Sequence, residues 1–241
     1  VSDSSAARPP EQSTEHVDAH RDGSWWIGLL WAILLALTIR HFLFQAYKIP
    51  SGSMIPTLLV GDQLIASKIS YGIRLPLFNE KLAKFGVPER GEIIVFRYPE
   101  DPSKDFIKRA IGLPGDRVRI DAGMIYINDK PVERTRLGEF RYKDPKGGTT
   151  TAMAYRETLG DYTYRVLYSR HNIHTAYNMP EITLGPEEIF AMGDNRDRSN
   201  DSRAWGPVDL DLLEGKPLVI HFSWNSLDNG VRWDRIGTGI N

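Results

Sequence analysis

The chain has 241 residues, long enough for a catalytic domain with a sizeable core or for one domain carrying a smaller inserted one. Its 30 Lys plus Arg nearly balance 31 Asp plus Glu, for a formal net charge of -1, which offers no footing to nucleic acid or another polyanion. Cysteine is absent, which excludes disulfides, thiolate zinc sites and a cysteine nucleophile while leaving the redox compartment open.

Residues 1–24, VSDSSAARPPEQSTEHVDAHRDGS, read as a disordered polar tail. From Trp25 to Ile39 the run WWIGLLWAILLALTI carries no charge, and apolar character resumes after Arg40 and His41. The uncharged run alone is shorter than the roughly 20 residues a membrane span needs. Counting through Phe44 with Arg40 snorkelling makes up the difference, and Trp25 and Trp26 fall where an interfacial aromatic belt is expected. Residues 25–46 are therefore expected to form a transmembrane anchor, with a buried core helix and a signal-peptide core as the alternatives. The FQAYKIP that follows is too bulky for a signal-peptide cleavage site. Arg40, Lys48, Lys68 and Arg74 come after the apolar run, so a simple count of basic residues would leave the main domain in the cytoplasm.

Beyond the anchor the pattern becomes short and punctuated. DQLIASKIS, GEIIVFRY, DFIKRAIGL, DRVRID, GMIYIND, TYRVLYS and LVIHFSW are β-branched or aromatic runs bounded by Gly, Pro, Asp or Asn. The expected fold is mostly β, and DAGMIYINDKPV predicts a hairpin bounded by Ala-Gly and Asn-Asp turns. Residues 121–188 have shorter, less apolar runs and read as an inserted β-rich subdomain, with the main β-domain formed from 47–120 and 189–241. No period of 20 to 50 residues repeats, so a solenoid or propeller is unsupported.

Three stretches carry the chemistry. IPSGSMIPTL, residues 49–58, places Ser51 and Ser53 on a glycine-containing bend between prolines. It reads either as a plain turn or as a nucleophile loop, and in the second case the base must come from elsewhere. The chain contains no G-x-S-x-G elbow and no S-x-x-K pattern. His16, His20, His41, His171, His174 and His221 have no motif setting, and His221, within an apolar strand, is expected to be a core residue. A histidine-based triad stays open, because sequence distance does not exclude it.

Lys108 is the odd residue of DFIKRAIGLPGD, a lysine among Phe106, Ile107, Ala110 and Ile111. It is either a solvated strand residue or, if buried, a general base whose ammonium form is disfavoured by desolvation. Arg109, its neighbour, should point away. The third stretch, AMGDNRDRSNDSRAWGPV, has recurring acids but not the spacing of a calcium loop. A charged surface loop and a polar network that fixes a neighbouring site remain the two readings of it.

In this order behind a hydrophobic anchor, IPSGSMIPTL, GEIIVFRYPED with FIKRAIGLPGD, and GDNRDRSNDSRAWG resemble the boxes of the bacterial type I signal peptidases. The resemblance covers the anchor, residues 42–116 and residues 188–224. It implies that Ser53 is the nucleophile and Lys108 the general base. Ser51 and the Ser53 backbone N–H would form the oxyanion hole, and Ser199 would hydrogen-bond and orient the lysine. Asp201 and Arg203 would support the site, with Gly193, Asp194 and Asn195 as the turn presenting it. Ile49, Pro50, Met54, Leu58, Phe106 and Ile107 match or flank the family's substrate-pocket positions.

The resemblance further implies a Ser-Lys endopeptidase that cuts signal peptides of secretory preproteins after small residues in an A-x-A pattern, with no metal or organic cofactor. Its partners would be those peptides and the lipid bilayer, and it would have no nucleic-acid partner. Its place would be the bacterial cytoplasmic membrane, single-pass as visible, with the catalytic domain on the periplasmic or extracytoplasmic side, against the charge count. The opening Val1 and the single visible anchor fit an incomplete start, and the insertion lacks the cysteines of some relatives. A peptidase specialised for a pilin or conjugation protein, and an inactive anchored β-domain that binds peptides, are the competing readings.

Overall fold

The computed structural model describes residues 25–74, 81–144, 147–169 and 178–240. The tail at 1–24, with His16 and His20, lies outside them, as do His171 and His174. Helix α1 (Trp25–Phe42) is followed by β1 (Phe44–Lys48), β2 (Asp62–Ser67), β3 (Gly72–Arg74), β4 (Lys81–Lys84), β5 (Ile93–Tyr98) and β6 (Asp101–Gly112). Next come β7 (Arg117–Asp121), β8 (Met124–Ile127), β9 (Lys130–Pro131), β10 (Glu133–Lys143), β11 (Thr149–Leu159) and β12 (Tyr162–Ser169). Strands β13 (Met179–Thr183) and β14 (Glu188–Met192), helix α2 (Ser202–Trp205), and strands β15 (Val208–Asp209), β16 (Leu213–Asn225) and β17 (Gly230–Val231) complete the order.

The mostly β fold expected from the short punctuated runs is what forms. One sheet has the order β1-β2-β16-β5-β6-β14-β15, with β17 paired to β16. A second has the order β13-β7-β8-β9, a third β10-β11-β12, and β3 pairs with β4. Strand β5 is central in the first sheet, and its IIVF run is buried on both faces, as a continuous apolar strand should be. Strand β2 alternates instead, with Asp62, Leu64 and Ala66 buried. The expected hairpin is β8–β9, turned by Asn128 and Asp129 at positive φ, and Ala122 and Gly123, also at positive φ, turn β7 into β8.

The chain divides at Thr38 into two units. The helix ends at Phe42, four residues before the expected limit of the anchor, because Phe44–Lys48 is drawn into the ladder with β2. Its described side chains from Trp25 to Leu37 include exposed Trp26, Leu30, Trp31 and Leu35. Among the described residues no helix is long and apolar enough to cross a membrane. His221, expected in the core, is exposed on β16, because the strand's bulges between Pro217 and Phe222 break the simple alternation of its apolar run.

Two core regions carry the 49–58 loop. Ile49, Met54 and Leu58 pack with Tyr47, Leu64, Val95 and Ile220, while Ile55 packs with Ala152, Ala154 and Leu167 of β11 and β12. Asp62 braces the loop from behind. Its buried carboxylate accepts from Leu59 N–H at 2.8 Å, Ser223 Oγ at 2.7 Å and Arg235 Nη2 at 2.5 Å. The same Arg235 nitrogen donates to the Thr57 carbonyl at 3.0 Å, tying the Trp233–Arg235 turn to the loop.

Candidate active site

Strand β6 pairs Lys108 with Ile94 of β5, which sets the lysine side chain over the Ser53 bend. Lys108 Nζ lies 2.8 Å from Ser53 Oγ, across 55 residues of sequence, and 3.0 Å from the Ile107 carbonyl. The lysine is only 4% exposed and Ser53 9%. Desolvation by burial, with help from Arg203, draws the Lys108 pKa down to about 8, against the opposing pull of Asp201 and Asp194. An amine with that pKa is substantially neutral near pH 8, so it can accept a proton from the hydroxyl beside it. Ser51 Oγ lies 3.4 Å from Ser53 Oγ, and Ser51 is exposed.

Next to the pair is a cavity of about 500 Å³. Of the residues named for a substrate pocket, Ile49, Pro50, Met54, Phe106 and Ile107 line it, together with Tyr47, Lys48, Asp105, Arg198 and Asn200. Leu58 does not belong there: it is wholly buried in the core behind the loop, since Leu58 N–H bonds back to the Met54 carbonyl and turns the segment inward. The Lys108 ammonium also sits 5.2 Å from the centroid of the Phe106 ring, which stacks on Tyr98 at 4.4 Å.

Arg109 does point away from Lys108, but into the interior rather than into solvent. Its guanidinium meets Asp194 through Nε–Oδ1 at 2.9 Å and Nη2–Oδ2 at 2.8 Å, and it lies 3.8 Å over the Tyr164 ring. Asp194 also accepts from Thr57 Oγ1 at 2.5 Å, so it joins β6 to the serine loop.

The 193–203 segment reaches the loop by close backbone approach. A Cβ on Gly193 would fall 2.5 Å from the Ser53 carbonyl oxygen and 2.3 Å from Ser199 Oγ, so only glycine fits. Asn195 N–H donates to the Ser53 carbonyl at 2.9 Å. Asp201 Oδ2 accepts from Gly193 N–H at 3.0 Å and from Arg203 Nη2 at 2.8 Å, and Oδ1 accepts from Arg203 Nε at 2.8 Å. Burial pushes the Asp201 carboxyl up, but Arg203 and the Gly193 N–H outweigh it and hold the group below its usual range. Asp201 also caps α2.

Ser199 differs from expectation. Its Oγ is buried and makes no hydrogen bond at bonding geometry, whereas Lys108 spends its contacts on Ser53 and Ile107. Ser199 is nonetheless near enough to Asp201 to help lower that carboxyl. The resemblance had put Asn195 in a presenting turn and gave Tyr142 no part. Asn195 Nδ2 donates to the Gly52 carbonyl at 3.0 Å and to Tyr142 Oη at 3.1 Å. An amide in a run of charged residues gives no local sign that its partner lies on a distant strand.

The family described as signal peptidase, peptidase S26, matches residues 23–222. The chain is 38% identical over 220 residues to the signal peptidase I of Pseudomonas aeruginosa, covering 85% of this chain and 75% of that one. It is 39% identical over 207 residues to the signal peptidase I of Pseudomonas fluorescens, covering 80% and 69%. A crystal structure of a signal peptidase I from Enterococcus faecalis, 25% identical, covers 55% of this chain and 98% of that one with a TM-score of 0.33, too low to bear on the fold. With most of its length matched by the family and by these relatives, the chain belongs to the signal peptidases of the S26 family.

Proposed function

We propose that the protein is a membrane-anchored serine endopeptidase that removes signal peptides from exported proteins by a Ser-Lys dyad. The observation that carries the reading is the 2.8 Å approach of Lys108 Nζ to Ser53 Oγ in a buried setting beside a cavity. In the reaction, the neutral Lys108 amine takes the Ser53 hydroxyl proton as Oγ attacks the scissile carbonyl carbon. The tetrahedral oxyanion is held by the Ser53 N–H and the Ser51 hydroxyl. Collapse breaks the peptide C–N bond while Lys108 returns the proton to the leaving amine, and an ester on Ser53 remains. Lys108 then takes a proton from water, whose oxygen attacks the ester, and the proton goes back to Ser53 Oγ as the acid is released.

The cavity walls support the reading of the substrate class. Ile49, Pro50, Met54, Phe106 and Ile107, with a polar rim that includes Lys48, Asp105, Arg198 and Asn200, enclose about 500 Å³, which must hold backbone as well as side chains, so small residues beside the cut are favoured. Asp201 and Arg203 act as supports and do not react.

Anchoring rests on α1. Its 18 residues, about 27 Å long at 1.5 Å per residue, fall short of the roughly 30 Å of a hydrocarbon core and do not make a span by themselves. Its large apolar side chains are exposed on every side, and a helix apolar all round needs cover that only a core or a bilayer provides. The catalytic domain then stands on the outer side of the cytoplasmic membrane, where exported chains emerge.

The decisive experiment is cleavage of a precursor bearing an A-x-A signal peptide in detergent or lipid, comparing wild type with Ser53→Ala and Lys108→Ala. Cutting after the final alanine by wild type, with both folded variants dead, is the expected result. Equal behaviour of all three would remove the dyad reading.

A further inference from the structure

The Gly52 carbonyl and the Ser53 N–H belong to one planar trans peptide unit, so fixing the oxygen fixes the direction of the hydrogen opposite it. Asn195 Nδ2 holds that oxygen at 3.0 Å, joined by the Ile55 N–H at 3.2 Å. The next peptide plane is held as well, because Asn195 N–H takes the Ser53 carbonyl at 2.9 Å. One residue therefore pins both peptide units that flank the Ser53 Cα.

Asn195 is itself locked. It is 4% exposed, and its second amide hydrogen goes to Tyr142 Oη at 3.1 Å, so both side-chain donors are used. Tyr142 stands on β10, and its ring packs against the cluster of Ile55, Ala152, Ala154 and Leu167. The Asp194 carbonyl is taken by Leu167 N–H of β12 at 2.8 Å, which fixes the Asn195 backbone from the same sheet.

We propose that Asn195 and Tyr142 are positioning residues for the oxyanion hole: the β10–β12 sheet, through the Tyr142 hydroxyl and the Asn195 amide, aims the Ser53 N–H at the reacting carbonyl. This assigns a catalytic purpose to the 121–188 segment. It rests on the reading of Ser53 as nucleophile given above. Misdirecting one oxyanion donor should cost less than deleting it, about 10- to 100-fold in kcat. Substrate binding, made on the other side of the loop by the cavity walls, should change little.

The test compares peptide substrates whose scissile carbonyl is oxygen or sulfur, cut by wild type, Asn195→Ala and Tyr142→Phe. A larger, weaker acceptor fits a well-aimed donor badly, so wild type should favour the oxygen substrate strongly. Asn195→Ala should lose about 10-fold or more in kcat on that substrate with KM within about twofold, and its oxygen-over-sulfur ratio should fall by a similar factor. Tyr142→Phe, which keeps the packing, should move both quantities the same way by about 2- to 5-fold, the order of one neutral hydrogen bond. It carries the test alone should the alanine variant fail to fold. Unchanged ratios, or a loss in KM rather than kcat, would overturn the proposal. Failure of wild type to cut the oxygen substrate at all would instead count against the nucleophile assignment.

Discussion

Arg109 and Asp194 face each other through two parallel hydrogen bonds with neither side chain exposed, on the side of β6 opposite Lys108. Taking away one member leaves a buried charge alone, which costs about 3–5 kcal/mol. Arg109→Met and Asp194→Asn should each be destabilised by that order in urea unfolding. The double variant Arg109→Met/Asp194→Leu should recover much of the loss, since an apolar pair leaves no charge stranded. Additive losses in the double variant would mean that the pair is not coupled.

The lowered Lys108 pKa makes stability depend on pH and, if Lys108 is the base proposed above, activity as well. Below about 8 the folded and unfolded chains both carry the ammonium, so the folded state bears the full burden of burying it. Between about 8 and 10.5 the unfolded chain binds more protons than the folded one, so stability contributed by this group rises with pH through that window. Relative to Lys108→Met, wild type should gain stability from pH 8 to 10.5, and its kcat/KM should climb with an apparent pKa near 8. A kcat/KM profile flat from pH 6 to 10 would remove Lys108 as the proton acceptor.

Gly193→Ala puts a methyl group 2.5 Å from the Ser53 carbonyl oxygen. The same methyl group meets Ser199 Oγ at 2.3 Å, so Ser199 or the loop that carries the proposed nucleophile must move. Overpacking of this kind costs about 1–3 kcal/mol, and a shift of about 1 Å at Ser53 lowers kcat by about 100-fold. Thermal unfolding and precursor cleavage read the two effects separately; wild-type cleavage by a folded variant would show that the approach is looser than described.

Ser199→Ala separates two roles. Its hydroxyl makes no hydrogen bond at bonding geometry, so removing it should change stability by less than about 1 kcal/mol. If it rotates to meet Lys108 during the reaction, kcat falls while the melting temperature holds. An unfolded or strongly destabilised variant would show a structural bond instead.

The sequence was most legible where local pattern decides the outcome. Punctuated β-branched runs became strands, and Ala122-Gly123 and Asn128-Asp129 became turns because those residues tolerate positive φ. The three chemical stretches stood out because serine beside a glycine bend and lysine among apolar neighbours are locally odd. What was not legible depends on partners far along the chain. Leu58 looks like any apolar neighbour of a pocket until the core behind it is known. Arg109 is set aside by strand alternation, yet the face it turns to is closed by Asp194 and Tyr164. Tyr142 sits on an exposed-looking strand, and only the fold brings it to Asn195.

The brace at Asp62 bears on the order in which the site is completed during synthesis. Arg235 reaches back across 178 residues to the Thr57 carbonyl. A ribosome-bound chain that has emerged only past Arg203 already holds Ser53, Lys108 and Asp201, with Thr57 tied to Asp194, but the Thr57 carbonyl and the Asp62 carboxylate still await Arg235. The brace on the serine loop is therefore completed only once residue 235 has emerged, later than every residue of the proposed dyad and its supports.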